Sequence, residues 1–278
     1  MTNIFHYIDR PSPIHALTGA TKLICVLLWS FAAMLTYDTR LLAFMPLLSL
    51  GLFALSKIRV KDVSFMLGFT AAFMVLNNLT IFAISPQHGV TVYGSRHLVF
   101  ASLGEMGRYT LTWEQLLYHA NLILKYLSTI PIILLFVCTT DPSEFAASLN
   151  RVGVKYSVAY SVALALRYIP DIQLEYHEIS QAQQARGIEM SKKEPLHKRL
   201  KSASAILIPL ILSSMDRIET IANAMELRGF GKKKKRSWYM ARPFTSRDCL
   251  AVGLGAALLL ASLVLTQVNG SRYYNPFA

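Results

Sequence analysis

An apolar run, EQLLYHANLILKYLSTIPIILLFVC, occupies residues 114–138 and is followed at 139–154 by TTDPSEFAASLNRVGV. As a helix, about 20 mostly apolar residues cross roughly 30 Å of hydrocarbon. In the second stretch, Asp141 is a favourable N-cap, Pro142 suits the first helical position, and Glu144 follows Asp141 by three residues. The sequence therefore predicts a membrane-spanning helix that is followed directly by a helix of different, charged character.

The composition of the whole chain is that of a membrane protein. Of its 278 residues 53% are hydrophobic and 16% are charged, with a mean hydropathy of +0.39, whereas an ordinary soluble domain is about 25% charged. The net charge of +12 favours cytoplasmic loops or anionic lipid over nucleic acid as the place of the cations. Three isolated cysteines predict neither a disulfide framework nor a CxxC site, and no cleavable signal peptide is expected at the N-terminus.

Apolar stretches long enough to span a bilayer number five, at 17–37, 41–56, 64–84, 114–138 and 249–268. With the N-terminus inside, twenty-three of the 28 lysines and arginines fall in cytoplasmic segments, counting Lys22 at the cytoplasmic end of the first span. Four fall outside, namely Arg40, Arg96, Arg108 and Arg272. This asymmetry follows the positive-inside rule. It predicts an all-α polytopic membrane protein with about five transmembrane helices, a cytoplasmic N-terminus and an external C-terminus.

Three domains follow from this pattern: a four-span bundle at 1–138, a cytoplasmic segment at 139–247, and a fifth span with a short tail at 248–278. In the last span, Ala251 and Gly255 form a small-xxx-small pair that would let another helix approach closely.

Lys125 lies within the fourth span. It is interpreted as a helix-bundle contact or a snorkelling side chain in preference to an ion path, because the sequence predicts no intramembrane carboxylate beside it.

The outer loop at 85–112 contains VTVY and RYTLTW, whose alternation predicts a small hairpin. Thr112, with Gln115 three residues later, is typical of a capping box that opens the fourth span. His88 and His97 lack further ligands at metal spacing and are expected to be ordinary loop histidines.

The cytoplasmic segment reads as a series of helices. After the one at Asp141, the sequence predicts a helix at 157–168 interrupted at Pro170, another at 171–186, and a long one from Leu196 to Arg228, bent or broken at Pro209. The last of these places an apolar stripe on one face, consisting of Met215, Ile218, Ala222 and Met225. Core packing is the commoner meaning of such a stripe, and an adaptable contact surface is the alternative.

Two of these helices end on Arg-Gly, at Arg186-Gly187 and Arg228-Gly229. One interpretation is local, because arginine near a helix C-terminus interacts favourably with the helix dipole and glycine caps the helix. The other is that an arginine held at a helix tip binds a carboxylate-lined groove on another protein through its planar, bidentate fork. Two such tips in one basic segment favour the second interpretation. The cations that follow, Lys232, Lys233, Lys234, Lys235 and Arg236, are expected at lipid headgroups rather than on nucleic acid.

The segment 139–187, which ends in QQARG, resembles the region that defines the transmembrane T component of energy-coupling factor (ECF) transporters. AMELRGFG at 224–231 is similar to the second arginine motif of that family, and SPIHALTGATKL at 12–23 is similar to its opening pattern. The chain departs from many members at Gly19-Ala20-Thr21, where Asp-Pro-Arg is frequent, and at Leu227, where Ala or Ser is frequent.

This resemblance implies an importer in which two ABC-type ATPases hydrolyse ATP and a separate membrane S component binds a vitamin or metal ion. The T component connects them through cytoplasmic coupling helices, in the plasma membrane of a prokaryote. It implies that Ala185, Arg186 and Gly187 contact one ATPase and that Leu227, Arg228 and Gly229 contact the other. No cofactor and no catalytic activity are expected, because the chain has no GxxxxGK[ST] loop of its own.

Two rival functions remain as alternatives. A membrane enzyme would need paired carboxylates, a Ser/His arrangement or a metal cluster near a membrane face, and the sequence offers none of these. An autonomous channel or secondary transporter would be expected to show internal repeats or polar broken helices at mid-membrane. Asn77, Asn78 and Lys125 give that alternative little support.

Overall fold

The structure, a computed structural model, describes residues 10, 12–100, 109–188, 196–232, 238 and 242–276. Its helices are α1 (Gly19–Leu35), α2 (Thr39–Leu55), α3 (Val60–Ile84), α4 (His88–Tyr93), α5 (Trp113–Thr139), α6 (Pro142–Arg151), α7 (Tyr156–Ala185), α8 (Leu196–Leu227) and α9 (Ser246–Val268). Two short strands, β1 (Leu98–Phe100) and β2 (Leu111–Thr112), form an antiparallel pair. The predicted all-α fold is confirmed.

The chain folds as two compact units. Unit 1 combines Met1–Asp141 with Arg242–Ala278, and unit 2 is Pro142–Ala241. Unit 1 contains α1–α5 and α9, and unit 2 contains α6–α8.

All five predicted spans are helices in unit 1. Three of them, α3, α5 and α9, are long and apolar enough to cross a membrane. The other two, α1 and α2, are apolar but have 17 residues each, which as helix is about 26 Å against roughly 30 Å of hydrocarbon. The number of spans and the orientation of the chain remain predictions.

The core of unit 1 lies where α1, α2, α5 and α9 meet. Its buried side chains are Trp29, Ala32, Ala33, Leu41, Met45, Ile132 and Leu258. The indole nitrogen of Trp29 donates a hydrogen bond of 2.9 Å to the hydroxyl of Ser128 on α5. A Cβ on Gly255 of α9 would lie 3.2 Å from a methyl carbon of Leu28 on α1. The predicted close approach at Gly255 is therefore confirmed, with α1 as the neighbouring helix.

The loop before α5 differs from the prediction. VTVY, at 90–93, lies in the helix α4, in which Gly89 and Tyr93 are buried. A Cβ on Gly89 would lie 2.6 Å from backbone atoms of Gln115, so α4 packs directly on the start of α5. The predicted partner strand of RYTLTW is thus wrong, and Leu111–Thr112 pairs with Leu98–Phe100 instead. Short apolar runs do not distinguish helix from strand by periodicity alone.

Thr112 is the N-cap of α5, and its hydroxyl accepts from the backbone N–H of Gln115, as predicted. The reciprocal half of the capping box is absent at this site, because the side-chain oxygen of Gln115 accepts a 2.6 Å hydrogen bond from the N–H of Gly89. The side chain that the capping box would use therefore joins α4 to α5.

The two loop histidines and Lys125 have specific partners in unit 1. The imidazole of His97 lies 2.7 Å from the fully buried carboxylate of Glu114, and His88 packs edge-on against Tyr118. The ammonium of Lys125 lies 3.2 Å from the ring centre of Tyr37 and donates to the carbonyl of Met34. These contacts agree with a loop role for the histidines and a helix-bundle role for the lysine.

Unit 2 differs from the prediction at Pro170. The predicted interruption there is wrong, since α7 runs unbroken through it for 30 residues. α8 covers the predicted range as one helix of 32 residues with Pro209 inside it, so this helix is not broken there. A proline costs about 3 kcal/mol in an isolated helix interior, but tertiary packing overrides such preferences. Here the tertiary packing that keeps α7 helical comes from α6 and α8, which both contact α7.

Candidate functional site

The two long helices of unit 2 run antiparallel. Near the end of α7, the amide of Gln183 donates to the carbonyl of Ala205. Further back along α7, the guanidinium of Arg217 donates to the carboxylate of Glu175 at 2.7 Å. From the first contact to the second, the residue number falls from 183 to 175 on α7 and rises from 205 to 217 on α8. The two helices are therefore antiparallel.

Glu175 forms the polar contacts between the middle of α7 and α8. Its carboxylate accepts both from Arg217 and from the hydroxyl of Ser213. The carboxylate is mostly buried, with its side chain 16% exposed. Hydrogen bonds with an ionised partner are about twice as strong as neutral ones. This contact therefore fixes the register between the two helices.

An aromatic cluster fixes the C-terminal end of α8 against the start of α7. The ring of Phe230 lies 4.8 Å from that of Tyr160 and 5.8 Å from that of Tyr156. Trp238 packs on the same tyrosines and donates through its indole nitrogen to the side-chain oxygen of Asn150. Because Phe230 follows Arg228 by two residues, the cluster holds the second Arg-Gly pair beside the first turns of α7.

Both Arg-Gly pairs form the same helix cap. At the end of α7, Gly187 has φ +85° and donates to Gln184, while Ile188 donates to Gln183. At the end of α8, Gly229 has φ +65° and donates to Glu226, while Phe230 donates to Met225. This pair of hydrogen bonds defines the Schellman motif, in which a glycine adopts the left-handed conformation. Arg186 and Arg228 hold the equivalent position at the two tips.

The cap alone does not identify a binding site. The end of α6 forms the same motif, with Gly153 at φ +111° donating to Asn150 and Val154 donating to Leu149. There the residue before the glycine is Val152. What the ends of α7 and α8 have in common is an arginine at that position.

The side chains of both predicted sites are exposed. At one tip Ala185, Arg186 and Gly187 are exposed, and at the other Leu227 and Arg228 are exposed. Leu227 is 90% exposed. Both tips are therefore accessible to another protein.

The two tips lie at opposite ends of the helix pair. Arg228 lies near Tyr160 through Phe230, and Arg186 follows Tyr160 by 26 residues along the same helix. At 1.5 Å per residue the tips are about 40 Å apart. The sequence-predicted residues therefore form two separate sites.

A groove of about 910 Å³ opens between α7 and α8. Its lining is mainly apolar and includes Leu164, Tyr168, Ile172, Ile218, Met225 and Phe230. Of the predicted apolar stripe, Ile218, Ala222 and Met225 line the groove, and Met215 is 60% exposed on α8. The stripe therefore lies on an accessible surface, and the expectation of core packing is wrong.

Of the predicted basic cluster, Lys232 lies among the described residues and is exposed. Lys233, Lys234, Lys235 and Arg236 lie outside the described residues. Within the described part of the chain, no group of three or more His, Cys, Asp or Glu side chains is arranged to hold a metal ion.

Sequence patterns do not identify Glu175, Arg217 and Phe230 as residues that build the site. Glu175 and Arg217 are 42 residues apart in sequence, so their pairing depends on the register of α7 against α8. Phe230 occupies the second position after a helix end, where an apolar contact often accompanies the Schellman motif. An apolar residue at that position was therefore the one sequence signal that could have identified Phe230.

The family model described as cobalt transport protein, CbiQ, matches residues 10–238. The chain is 28% identical over 272 residues to the energy-coupling factor transporter transmembrane protein EcfT of Bacillus selenitireducens, covering 95% of this chain and 96% of the relative. The protein of the same name from Bacillus subtilis is 25% identical over 267 residues, covering 93% and 95%. That from Exiguobacterium sibiricum is 30% identical over 178 residues, covering 61% and 66%.

Proposed function

Because the chain belongs to the cobalt transport protein (CbiQ) family, we propose that it is the transmembrane coupling component of an ECF-type ABC importer for a vitamin or metal ion. Its near full-length relatives are transmembrane proteins of energy-coupling factor transporters. In this role the chain transmits the work of ATP hydrolysis from ATPases on the cytoplasmic side to a membrane S component that binds the substrate.

The observation that carries the proposal is the pair of exposed arginine tips at opposite ends of the α7–α8 pair. A separation of about 40 Å is too large for Arg186 and Arg228 to share one small groove. Each tip is held by its own cap, and the register is fixed between them by Glu175. The arrangement suits two ATPase subunits, each offering a carboxylate-lined groove to one arginine.

The apolar surface between the tips suits the S component. Apart from the groove lining, both helices carry exposed apolar side chains, including Leu174 at 63%, Ile208 at 57% and Leu212 at 58%. Extensive exposed apolar surface marks contact with protein or lipid. We assign it to an apolar helix face of the S component, which lies in the same membrane.

The chain itself is proposed to be non-catalytic and without a cofactor, with ATP bound by the partner subunits. It has no GxxxxGK[ST] phosphate loop. The family supports this assignment over an autonomous channel or secondary transporter, since the relatives are named as the transmembrane protein of an energy-coupling factor transporter.

The basic cluster and the orientation complete the proposal. Lys232, Lys233, Lys234, Lys235 and Arg236 precede the last span closely in sequence, where each cation contributes about 1 kcal/mol against anionic lipid. With the N-terminus in the cytoplasm, unit 2 and this cluster lie on the cytoplasmic side of the plasma membrane. Neutralising the five cations is expected to weaken membrane seating and to leave recruitment of the ATPases intact.

Site-specific photo-crosslinking tests the assignment of the two tips. A photoreactive residue in place of Ala185 and one in place of Leu227 should each capture an ATPase subunit, in separate complexes of the full transporter. A matched control at Ser161, which lines the groove, should capture no ATPase. If it captures a protein, that protein should be the S component. Capture of no ATPase from either tip would contradict the proposed function.

A further inference from the structure

The turn before α1 and the first turn of α1 form a buried polar cluster that the proposed function leaves without a role. Ser12, His15, Thr18 and Lys22 are each less than 10% exposed. The hydroxyl of Ser12 lies 2.6 Å from Nδ1 of His15 and also accepts from the backbone N–H of His15. The segment is therefore a fixed turn that leads into α1. Polar groups are costly to bury unless they make hydrogen bonds, so the partners of this cluster indicate its purpose.

Lys22 holds the end of α5. Its ammonium donates a 2.7 Å hydrogen bond to the backbone carbonyl of Thr139, the last residue of that helix. The last carbonyls of a helix have no partner within the helix, and they lie at the negative end of its dipole. Three residues later, at Pro142, the chain enters unit 2. Lys22 therefore fixes the point at which the chain leaves unit 1.

Thr18 holds the start of α9 through Asp248. One carboxylate oxygen of Asp248 accepts from the backbone N–H of Thr18 at 2.9 Å and from its hydroxyl at 3.1 Å. The other oxygen accepts from the N–H and the hydroxyl of Thr245 at 2.8 and 2.6 Å. A single, fully buried carboxylate thus joins the N-caps of α1 and α9, 230 residues apart in sequence.

A third contact holds the same return segment. The guanidinium of Arg242 donates a 3.1 Å hydrogen bond to the backbone carbonyl of His15. Arg242 is the residue at which the chain re-enters unit 1. Residues 15–22 therefore bind both ends of the chain segment that contains unit 2, one through Lys22 and the other through His15 and Thr18.

We propose that residues 15–22, which lead into α1 and form its first turn, are a clamp that fixes the distance between the two attachment points of the coupling segment. Lys22 and Asp248 are its main positioning residues. The inference rests on the proposed function, because a fixed base matters when the tips of unit 2 are displaced by ATPases. With the base fixed, displacement of the tips is transmitted through unit 2. With the base loosened, the two attachment points separate and the displacement is absorbed there.

The test combines a direct measurement with a functional one in the complete transporter. Spin labels at Asp141 and Phe244 report the distance between the two attachment points in reconstituted complexes. The narrow distribution of the native chain should broaden in Lys22→Met and Asp248→Asn. In the same variants the amount of substrate taken up per ATP hydrolysed should fall at least fivefold, while the ATPases still co-purify. Lys22→Arg, which retains a donor, should restore most of that ratio.

Trp29→Phe is the matched control, because it removes a hydrogen bond between α1 and α5 that is remote from both attachment points. It should leave the distance and the ratio unchanged. The clamp is refuted if the distribution stays narrow in both variants, or if Trp29→Phe lowers the ratio as much as they do. Should Asp248→Asn not assemble, Thr245→Val, which removes one of the four hydrogen bonds, is measured in its place by the same criteria. Failure of the native chain to bind ATPases would instead contradict the proposed function.

Discussion

Replacing Phe230 by alanine should loosen the tip that carries Arg228 and leave the other tip unchanged. Phe230 packs its ring at 4.8 Å from Tyr160 and 5.8 Å from Tyr156. Aromatic pairs contribute about 0.5–1.5 kcal/mol each beyond the area that they bury. The loss of both contacts therefore costs about 1–3 kcal/mol of local stability, and every 1.4 kcal/mol is a factor of ten.

Amide hydrogen exchange measures that loss directly. In the purified chain, the amides of Gly229 and Phe230, which donate to Glu226 and Met225, should exchange roughly 5- to 150-fold faster in Phe230→Ala. Ile188→Ala is the matched control, because Ile188 holds the equivalent position at the tip of α7. It should accelerate exchange at its own tip only.

Two exchange results would contradict this prediction. If amide exchange at residues 228–230 is unchanged in Phe230→Ala, the helix cap holds that tip without help from the aromatic cluster. If both tips loosen together, the tips are not independently supported. Either result would contradict the view that α8 is positioned by its contact with the start of α7.

Three further predictions concern unit 1. Gly89→Ala should lower the stability of the detergent-solubilised chain by about 1–3 kcal/mol in a thermal unfolding assay, since the new Cβ would meet the backbone of Gln115 at 2.6 Å; an unchanged transition would show that α4 does not pack as described. Lys125→Met should cost about 1 kcal/mol through loss of its contact with the ring of Tyr37 and leave uptake intact; loss of uptake at unchanged stability would instead favour an ion path. A cysteine introduced at Ser271 should be labelled from outside the cell, and labelling only from the cytoplasm would exclude the five-span orientation.

Helix positions and caps were predictable from the sequence because their signals are local. The apolar runs predict all five helices of unit 1 that were proposed as spans, and Thr112 caps α5 as its hydroxyl and position indicate. The glycines after Arg186 and Arg228 likewise predict the helix ends, because a residue in the left-handed conformation is needed there. In each case the deciding interactions lie within five residues of one another.

The features that the sequence did not predict depend on residues distant in the chain. The continuity of α7 through Pro170 depends on the packing of other helices against it. The helical state of VTVY depends on the approach of Gly89 to α5. Asp248 takes part in the capping box of α9, and only the fold shows that it also binds Thr18. The distance between the two arginine tips similarly required the antiparallel register of α7 and α8.

The role of the two arginines is tested most directly by ATP-dependent substrate uptake in the double variant Arg186→Glu, Arg228→Glu, with co-purification of the ATPases measured beside it. Removing one partner of a buried charged contact costs about 2–5 kcal/mol, and reversing its charge adds repulsion. We expect the double variant to insert normally and to lose uptake, with the ATPases lost or uncoupled, while the single variants are impaired less. If the arginines only cap their helices, fraying of about 1 kcal/mol is the whole effect. Normal assembly and uptake in the double variant would therefore contradict the coupling role.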